Sequence, residues 1–180
     1  MPRLPPHDPA QMSPEKKAAY DEIVRVRGQV RGPFAIWLNS PELCKIALEL
    51  QDWFPKHSKL DRRLLELMIL VLARKSGAKF AWFVHEPHAL RLGIAPTIVE
   101  AIRERRMPHF TVEDERVVYD VTRELDDTKT LSPATYARAN DMFGPQVMVE
   151  LVSAVGFYEM VAMTLNTFEA PVPADKVPWV

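Results

Sequence analysis

The sequence predicts an all-α fold, and three observations carry this prediction. Ser-Pro pairs place an N-cap oxygen before a proline whose φ suits a first helical turn, at Ser13-Pro14, Ser40-Pro41 and Ser132-Pro133. Glycines stand where apolar periodic segments end, as expected of helix C-termini. No segment shows convincing strand character.

Eight helices joined by short polar links are expected, which is typical of a helical bundle. In addition to the Ser-Pro pairs, Pro96 and Pro145 mark two further helix starts. Thr111 and Asp114 form a candidate capping box at another. The predicted helices are 14–27, 41–54, 61–76, 79–92, 96–106, 112–126, 133–142 and 145–168.

A length of 180 residues suits one domain, which we place at 12–169. Prolines concentrate in 1–11 and 170–180, so both segments are expected to be extended tails. The C-terminal tail is expected to pack on its own domain or on a neighbouring subunit, and the sequence favours neither.

The composition narrows the kinds of function and partner that can be expected of this protein. The net charge is −1, and the sequence has no Lys/Arg cluster of the kind that contacts the phosphate backbone of a nucleic acid. No nucleic-acid partner is therefore expected. The N-terminal stretch lacks a signal-peptide core, and the apolar segment 151–168 contains Glu159 and Asn166. We therefore expect a cytoplasmic protein with no membrane partner.

Cys44 is the only cysteine, so no intrachain disulfide and no multi-cysteine metal site can form. It lies beside the apolar stripe of its helix, which favours a small buried side chain. The alternative is a thiol peroxidase, which requires Cys44 to be exposed and its pKa to be lowered.

Glu66 stands out in the most apolar helix. Every other residue from Leu64 to Ala73 is apolar, so this helix should run through the core. Burial disfavours a charged carboxylate, which makes Glu66 a candidate proton donor or acceptor. The alternative is a helical ion pair with Arg62 or Arg63.

The next helix carries a small, flat face that ends in an imidazole. Ala78, Ala81, Trp82 and His85 fall at i, i+3, i+4 and i+7, and the two alanines leave room for a ring-shaped organic substrate. The alternative is a hydrogen-bonded core histidine. Pro87 predicts a kink or restart near His85.

His85 and His88 lie three residues apart, a spacing at which both can contact one metal ion. The sequence His-Glu-Pro-His differs from the His-Glu-x-x-His zinc arrangement, and no third ligand stands out. We therefore expect no metal.

Three stretches, 33–43, 64–93 and 151–173, resemble the carboxymuconolactone decarboxylase family, which includes the alkylhydroperoxidase D-like proteins. The resemblance covers roughly 12–173. In redox-active relatives a glutamate is followed by Cys-x-x-Cys and a histidine, at positions matching 66, 78, 81 and 85. In this sequence those positions hold Glu66, Ala78, Ala81 and His85. This set is similar to that of the non-redox branch of the family, which lacks the cysteine pair. Non-redox relatives carry Glu-Trp-x-x-His, so Ala81 is a departure that bears on the substrate.

The resemblance implies an alkylhydroperoxidase D-like bundle of about eight helices, a homo-oligomer (trimer or hexamer), and a lyase of aromatic compound catabolism without a cofactor. We therefore expect a decarboxylase-type enzyme acting on a small carboxylated lactone or ring-cleavage metabolite. The expected catalytic residues are Glu66 and His85, and the expected substrate-binding residues are Trp82, Arg63, Ala81 and His88.

Three other functions stay open at this point. One is a lactone or ester hydrolase on the same fold. Another is a non-catalytic ligand-binding or scaffold homologue. The last is the thiol peroxidase, which the missing cysteine pair disfavours.

Overall fold

The computed structural model describes residues 2–179, and no strand is found in that range. The all-α prediction is confirmed. Two short 3-10 turns accompany the helices, at Pro9–Gln11 and Ala174–Lys176. The helices are α1 (Pro14–Arg27), α2 (Pro33–Trp37), α3 (Pro41–His57), α4 (Arg62–Ser76), α5 (Lys79–Arg91), α6 (Pro96–Arg103), α7 (Glu113–Thr128) and α8 (Pro133–Thr167).

The described residues form two compact units. The first comprises 2–57 and 164–171, and within it α3 contacts α1 and α2. The second comprises 58–163 and 172–179, and within it α4 contacts α5, α6 and α7. The single domain expected at 12–169 stays a prediction.

The Ser-Pro pairs begin helices as predicted. The Oγ of Ser13 accepts a hydrogen bond from the Lys16 amide, and that of Ser132 accepts one from the Thr135 amide, both at 3.3 Å. The third pair precedes α3. These starts are local, so short sequence patterns are enough to predict them.

The capping box expected at Thr111 is wrong. Helix α7 begins at Glu113 after Val112, which makes no side-chain cap bond. The carboxylate of Asp114 accepts a hydrogen bond from Arg63 instead, at 2.7 Å from Oδ2. Three acidic residues in the first turn stabilise this helix start instead.

Besides small shifts of helix ends, the set of helices differs from the prediction in two places. Helix α2 was not expected, because five residues are too few to show a helical period. The last two predicted helices form the single element α8, interrupted at Gly144 with φ 73° and ψ 169°. Such a positive φ is easy for glycine, so Gly144 can redirect the chain just before Pro145.

Helix α4 is the core helix of its unit, as its all-round apolar pattern predicts. All ten residues from Leu64 to Ala73 are buried, including Glu66, because α5, α6 and α7 each contact α4. The helix ends at Gly77, which has φ 70° and donates its N–H to the Ala73 carbonyl.

Helix α8 is long and apolar enough to cross a membrane by length and composition. Half of its apolar window is buried inside the protein, as is usual for the core helix of a soluble domain. The described chain has the character of such a soluble helical domain.

Helix α5 continues through Pro87 to Arg91, so the restart that was one of the two predicted effects of Pro87 is wrong, and a kink near His85 stays a prediction. Pro87 is exposed. Water can therefore solvate the Phe83 carbonyl, which lacks the N–H donor that residue 87 would normally supply.

Candidate functional site

The site lies where α4 and α5 pack together. Only Gly77 and Ala78 connect the two helices, and such a short link makes neighbouring helices antiparallel. A residue in the first half of α4 therefore comes beside one in the second half of α5. Glu66 and His85 are such a pair, and both lie in the second compact unit.

Glu66 and His85 are in direct contact. His85 Nδ1 lies 2.7 Å from Glu66 Oε2. Glu66 is only 6% exposed, and the side chain of His85 is 13% exposed. This geometry contradicts the alternative of a helical ion pair, because within residues 2–179 neither Arg62 nor Arg63 comes within ion-pair distance of Glu66.

His88 is the third member of the cluster. Its Nδ1 lies 3.8 Å from Glu66 Oε1, and its ring centroid lies 6.0 Å from that of His85. Burial lowers the pKa of His88, and the charges of His85, Arg91 and Arg62 act in the same direction against the opposing effect of Glu66. His88 therefore tends toward the neutral imidazole, whose free lone pair can accept a proton.

Tyr158 adds an aromatic wall that we did not predict. Its buried ring meets the His85 ring edge-on, with centroids 5.8 Å apart. Tyr158 belongs to α8, far from the other site residues in sequence, so no spacing rule connects it to them. The sequence signal that could have indicated Tyr158 was the resemblance of segment 151–173 to the carboxymuconolactone decarboxylase family.

Trp82 is part of the core rather than of an open face. It is fully buried, and its Nε1 donates to Glu86 Oε2 at 3.0 Å. Its ring lies 5.4 Å from that of Trp179 and 5.6 Å from the Arg103 guanidinium. The described end of the C-terminal tail thus packs on its own chain, against Trp82. Contact between Trp82 and a substrate stays a prediction.

Arg63 is not brought into the cluster. Its guanidinium bonds Asp114 at 2.7 Å and also Glu115, which is 4% exposed. These two carboxylates already compensate the charge that we expected to hold a substrate carboxylate. They also raise the pKa of Arg63 against the effect of burial.

Ala78 and Ala81 are buried, at 0% and 7% exposure. These are the two positions at which the resemblance stated above matches cysteines in redox-active members of that family. The predicted contact between Ala81 and a substrate stays a prediction.

The cluster also contains a donor set for a metal ion. Glu66, His85 and His88 each offer one ligand atom, and these atoms lie within 4.8 Å of one another. The third ligand that the sequence did not indicate is thus the carboxylate on the neighbouring helix. Two imidazoles and one carboxylate suit Zn²⁺ or Fe²⁺.

Cys44 has neither property that a reactive thiol requires. It is 1% exposed, and its Sγ lies 3.9 Å from the Phe34 carbonyl oxygen. Burial raises the pKa of the Cys44 thiol to about 11. The structural interpretation of this cysteine is therefore favoured.

A scan of the sequence against protein-family models and a search of curated proteins found no match. A solved structure from Silicibacter sp. TM1040, an uncharacterised peroxidase-related protein, is similar with a TM-score of 0.77. It is 14% identical, over 99% of this chain and 95% of that chain. The chain has the alkylhydroperoxidase D-like fold.

A second structure with this fold comes from Ralstonia eutropha JMP134 and is described as an alkylhydroperoxidase AhpD core, an uncharacterised peroxidase-related protein. Its TM-score is also 0.77, at 11% identity over 99% of this chain and 95% of that chain. At such identities the likeness concerns the fold alone.

Proposed function

We propose that this chain is an enzyme that transfers protons to a small carboxylated substrate through the Glu66–His85 pair. The observation that carries the proposal is the 2.7 Å contact between His85 Nδ1 and a buried carboxylate. The reaction we favour is decarboxylation of a lactone or ring-cleavage metabolite, as the resemblance to the non-redox branch of the carboxymuconolactone decarboxylase family implies.

In this proposal each partner of the contact has its own role. An ionised Glu66 accepts a hydrogen bond from Nδ1–H of His85, which fixes the tautomer and leaves Nε2 to exchange a proton with the substrate. The carboxylate also stabilises the imidazolium. Glu66 is then the positioning residue, and His85 is the acid/base.

Decarboxylation needs one proton at carbon. When the C–C bond to the carboxylate breaks, its electron pair moves into the conjugated carbonyl and CO₂ leaves. The resulting enolate takes a proton from the His85 imidazolium, and the neutral imidazole regains one from solvent. No redox partner is needed, which agrees with the inert environment of Cys44.

The hydrolase alternative uses the same pair. Neutral His85 would take a proton from water as the water attacks a lactone or ester carbonyl, and would return that proton to the leaving oxygen. The product separates the two reactions, because only decarboxylation releases CO₂.

We also propose a cytoplasmic homo-oligomer, a trimer or hexamer. In the first unit, α3 exposes Leu43, Ile46, Leu50 and Trp53 along one side. In the second unit, α8 exposes Val149, Val152 and Met163. Apolar residues in such rows are typical of a surface that another subunit covers.

The decisive experiment is turnover of a panel of muconolactones and related esters, followed by ultraviolet absorbance and CO₂ release. We expect Glu66→Gln and His85→Gln to lower kcat by about 100-fold or more while both variants stay folded. The matched control is Glu159→Gln, which alters a carboxylate paired with Lys129 outside the cluster.

Wild-type activity in folded Glu66→Gln and His85→Gln would overturn the proposal. Wild-type protein that binds these compounds without converting any of them would favour the non-catalytic ligand-binding alternative.

A further inference from the structure

A cavity lies in the 58–163 unit, away from the Glu66 cluster. Its volume is about 300 Å³, at the lower end of the range for small-molecule pockets. It is lined by the C-terminal half of α4, by the end of α6 and the turn that follows it, and by Tyr119 and Arg123 of α7. Arg74 lies eight residues beyond Glu66, so the two sites are separated by about 12 Å along α4.

The lining of this cavity is strongly cationic. Five side chains carry positive charge, Arg74, Lys75, Arg105, Arg106 and Arg123, and none of the described lining residues is acidic. The chain as a whole has a net charge of −1, so this concentration of positive charge is local.

Two of these charges are compensated within the protein. Lys75 pairs with Asp126 at 3.1 Å and also with Asp127. Arg106 pairs with Glu104. These two side chains would contribute little to holding a ligand.

The other three arginines lack such compensation. Among residues 2–179, no carboxylate lies within ion-pair distance of Arg74, Arg105 or Arg123. Arg74 is held in place by its Nε bond to the Arg103 carbonyl at 2.5 Å and by the Trp179 ring at 4.5 Å. Burial lowers the pKa of Arg74, and the charge of Arg105 adds to this effect.

Arg105 has an unusual backbone. Its φ is 58°, in the turn where Arg106 donates its N–H to the Ala101 carbonyl at 2.8 Å. Glycine is the residue that adopts this conformation easily at a helix end. Arg105 thus lines the cavity at a position where a side chain is sterically disfavoured, which is a pattern found at functional sites.

We propose that this cavity binds a small multivalent oxyanion, a carboxylate or phosphate compound, through the guanidinium groups of Arg74, Arg105 and Arg123. Planar guanidinium groups bind both kinds of oxyanion with paired N–H donors. The phenol of Tyr119, 3.4 Å from Arg123 Nη1, provides a further polar group at the same wall.

Calorimetric titration with citrate and with pyrophosphate, at constant ionic strength, tests the proposal. We expect saturable binding of one anion per chain by the wild type, and the preferred probe shows whether carboxylate or phosphate is the better ligand. Arg105→Gly and Arg123→Gln should each weaken binding about tenfold or more. Arg105→Gly also removes the disfavoured conformation, so its fold is preserved.

Arg116→Gln is the matched control, since Arg116 lies on the same helix as Arg123 and pairs with Asp120. It should bind like the wild type. Absence of saturable binding by either anion would overturn the proposal, and so would equal binding by the cavity variants and the control. The readout is binding alone, so it is independent of turnover at Glu66 and His85.

Discussion

Glu66 and His85 lie 19 residues apart in sequence, and the pairing of α4 with α5 brings His85 Nδ1 to 2.7 Å from the Glu66 carboxylate. Both ends of the contact are shielded from water, so the carboxylate acts on the imidazole with little solvent screening.

Glu66→Gln separates charge from shape at this contact. The amide keeps the volume and a hydrogen bond to His85, but it does not stabilise an imidazolium. We expect unfolding midpoints close to those of the wild type together with the loss of turnover described above. Urea denaturation measured beside kcat checks this, and a variant that is inactive because it is unfolded would not support the assigned role.

Removal of metal ions should leave turnover unchanged. The proposed proton transfer needs only the side chains, even though Glu66, His85 and His88 form a feasible donor set. The measurement is activity and bound-metal content before and after dialysis against a chelator. Activity that disappears on dialysis and returns with Zn²⁺ or Fe²⁺ would replace the cofactor-free proposal with metal-assisted chemistry.

Cys44 should react slowly with thiol reagents in the native protein. With a pKa of about 11, only about one thiol in a thousand is ionised at pH 8, and burial blocks access as well. Cys44→Ala should leave lactone turnover unchanged. Labelling as fast in native as in denatured protein would contradict this, and peroxide reduction abolished by Cys44→Ala would restore the thiol peroxidase hypothesis.

Glu150 should make the free energy of unfolding depend on pH in the acidic range. Burial acts to raise its pKa, but hydrogen bonds from Ser58, Gln146 and the backbone at 59 and 60 lower it below the ordinary 4.5. The stabilisation is therefore complete above about pH 4.5 and is lost as the pH falls through the lowered pKa.

The test for Glu150 is Glu150→Gln. We expect it to reduce the free energy of unfolding by about 1–3 kcal/mol at pH 7 and to flatten its dependence below pH 4.5. Urea unfolding at several pH values measures both effects. Exposed Glu49 provides the control, and equal effects of Glu49→Gln and Glu150→Gln would refute the assignment.

The oligomer prediction can be tested on two surfaces separately. Ile46 on α3 is 63% exposed and Met163 on α8 is 62% exposed. Ile46→Glu or Met163→Glu should shift the assembly toward smaller species, because a subunit interface would have to bury the added charge. Light scattering gives the mass, with Lys45→Glu as the control on α3. A wild-type monomer would end the oligomer proposal.

Local signals in the sequence predicted much of the fold. The Ser-Pro pairs predicted helix starts, and the segment from Leu64 to Ala73, apolar except for Glu66, predicted that α4 is buried. Helix α2 was missed because it is shorter than two helical turns. Thr111 was misread because α7 begins two residues later, at Glu113, and Asp114 accepts a hydrogen bond from Arg63 of another helix.

The site was harder to predict because its parts come from different helices. The sequence singled out Glu66, His85 and His88, but their mutual contacts depend on how α4 packs on α5. Tyr158 comes from α8, and no pattern within α5 indicates it. Trp82 fits an exposed flat face by spacing alone, and only the position of Trp179 shows that the face is covered.

The burial of Cys44 has a practical consequence for spectroscopy. A cysteine introduced at an exposed position, for example Ala137→Cys on α8, would be the one rapidly reactive thiol in each chain without prior removal of Cys44. A spin label attached there would report distances between identical positions in the subunits of the proposed oligomer. The number of distinct distances would then distinguish a ring of three from a stack of two rings.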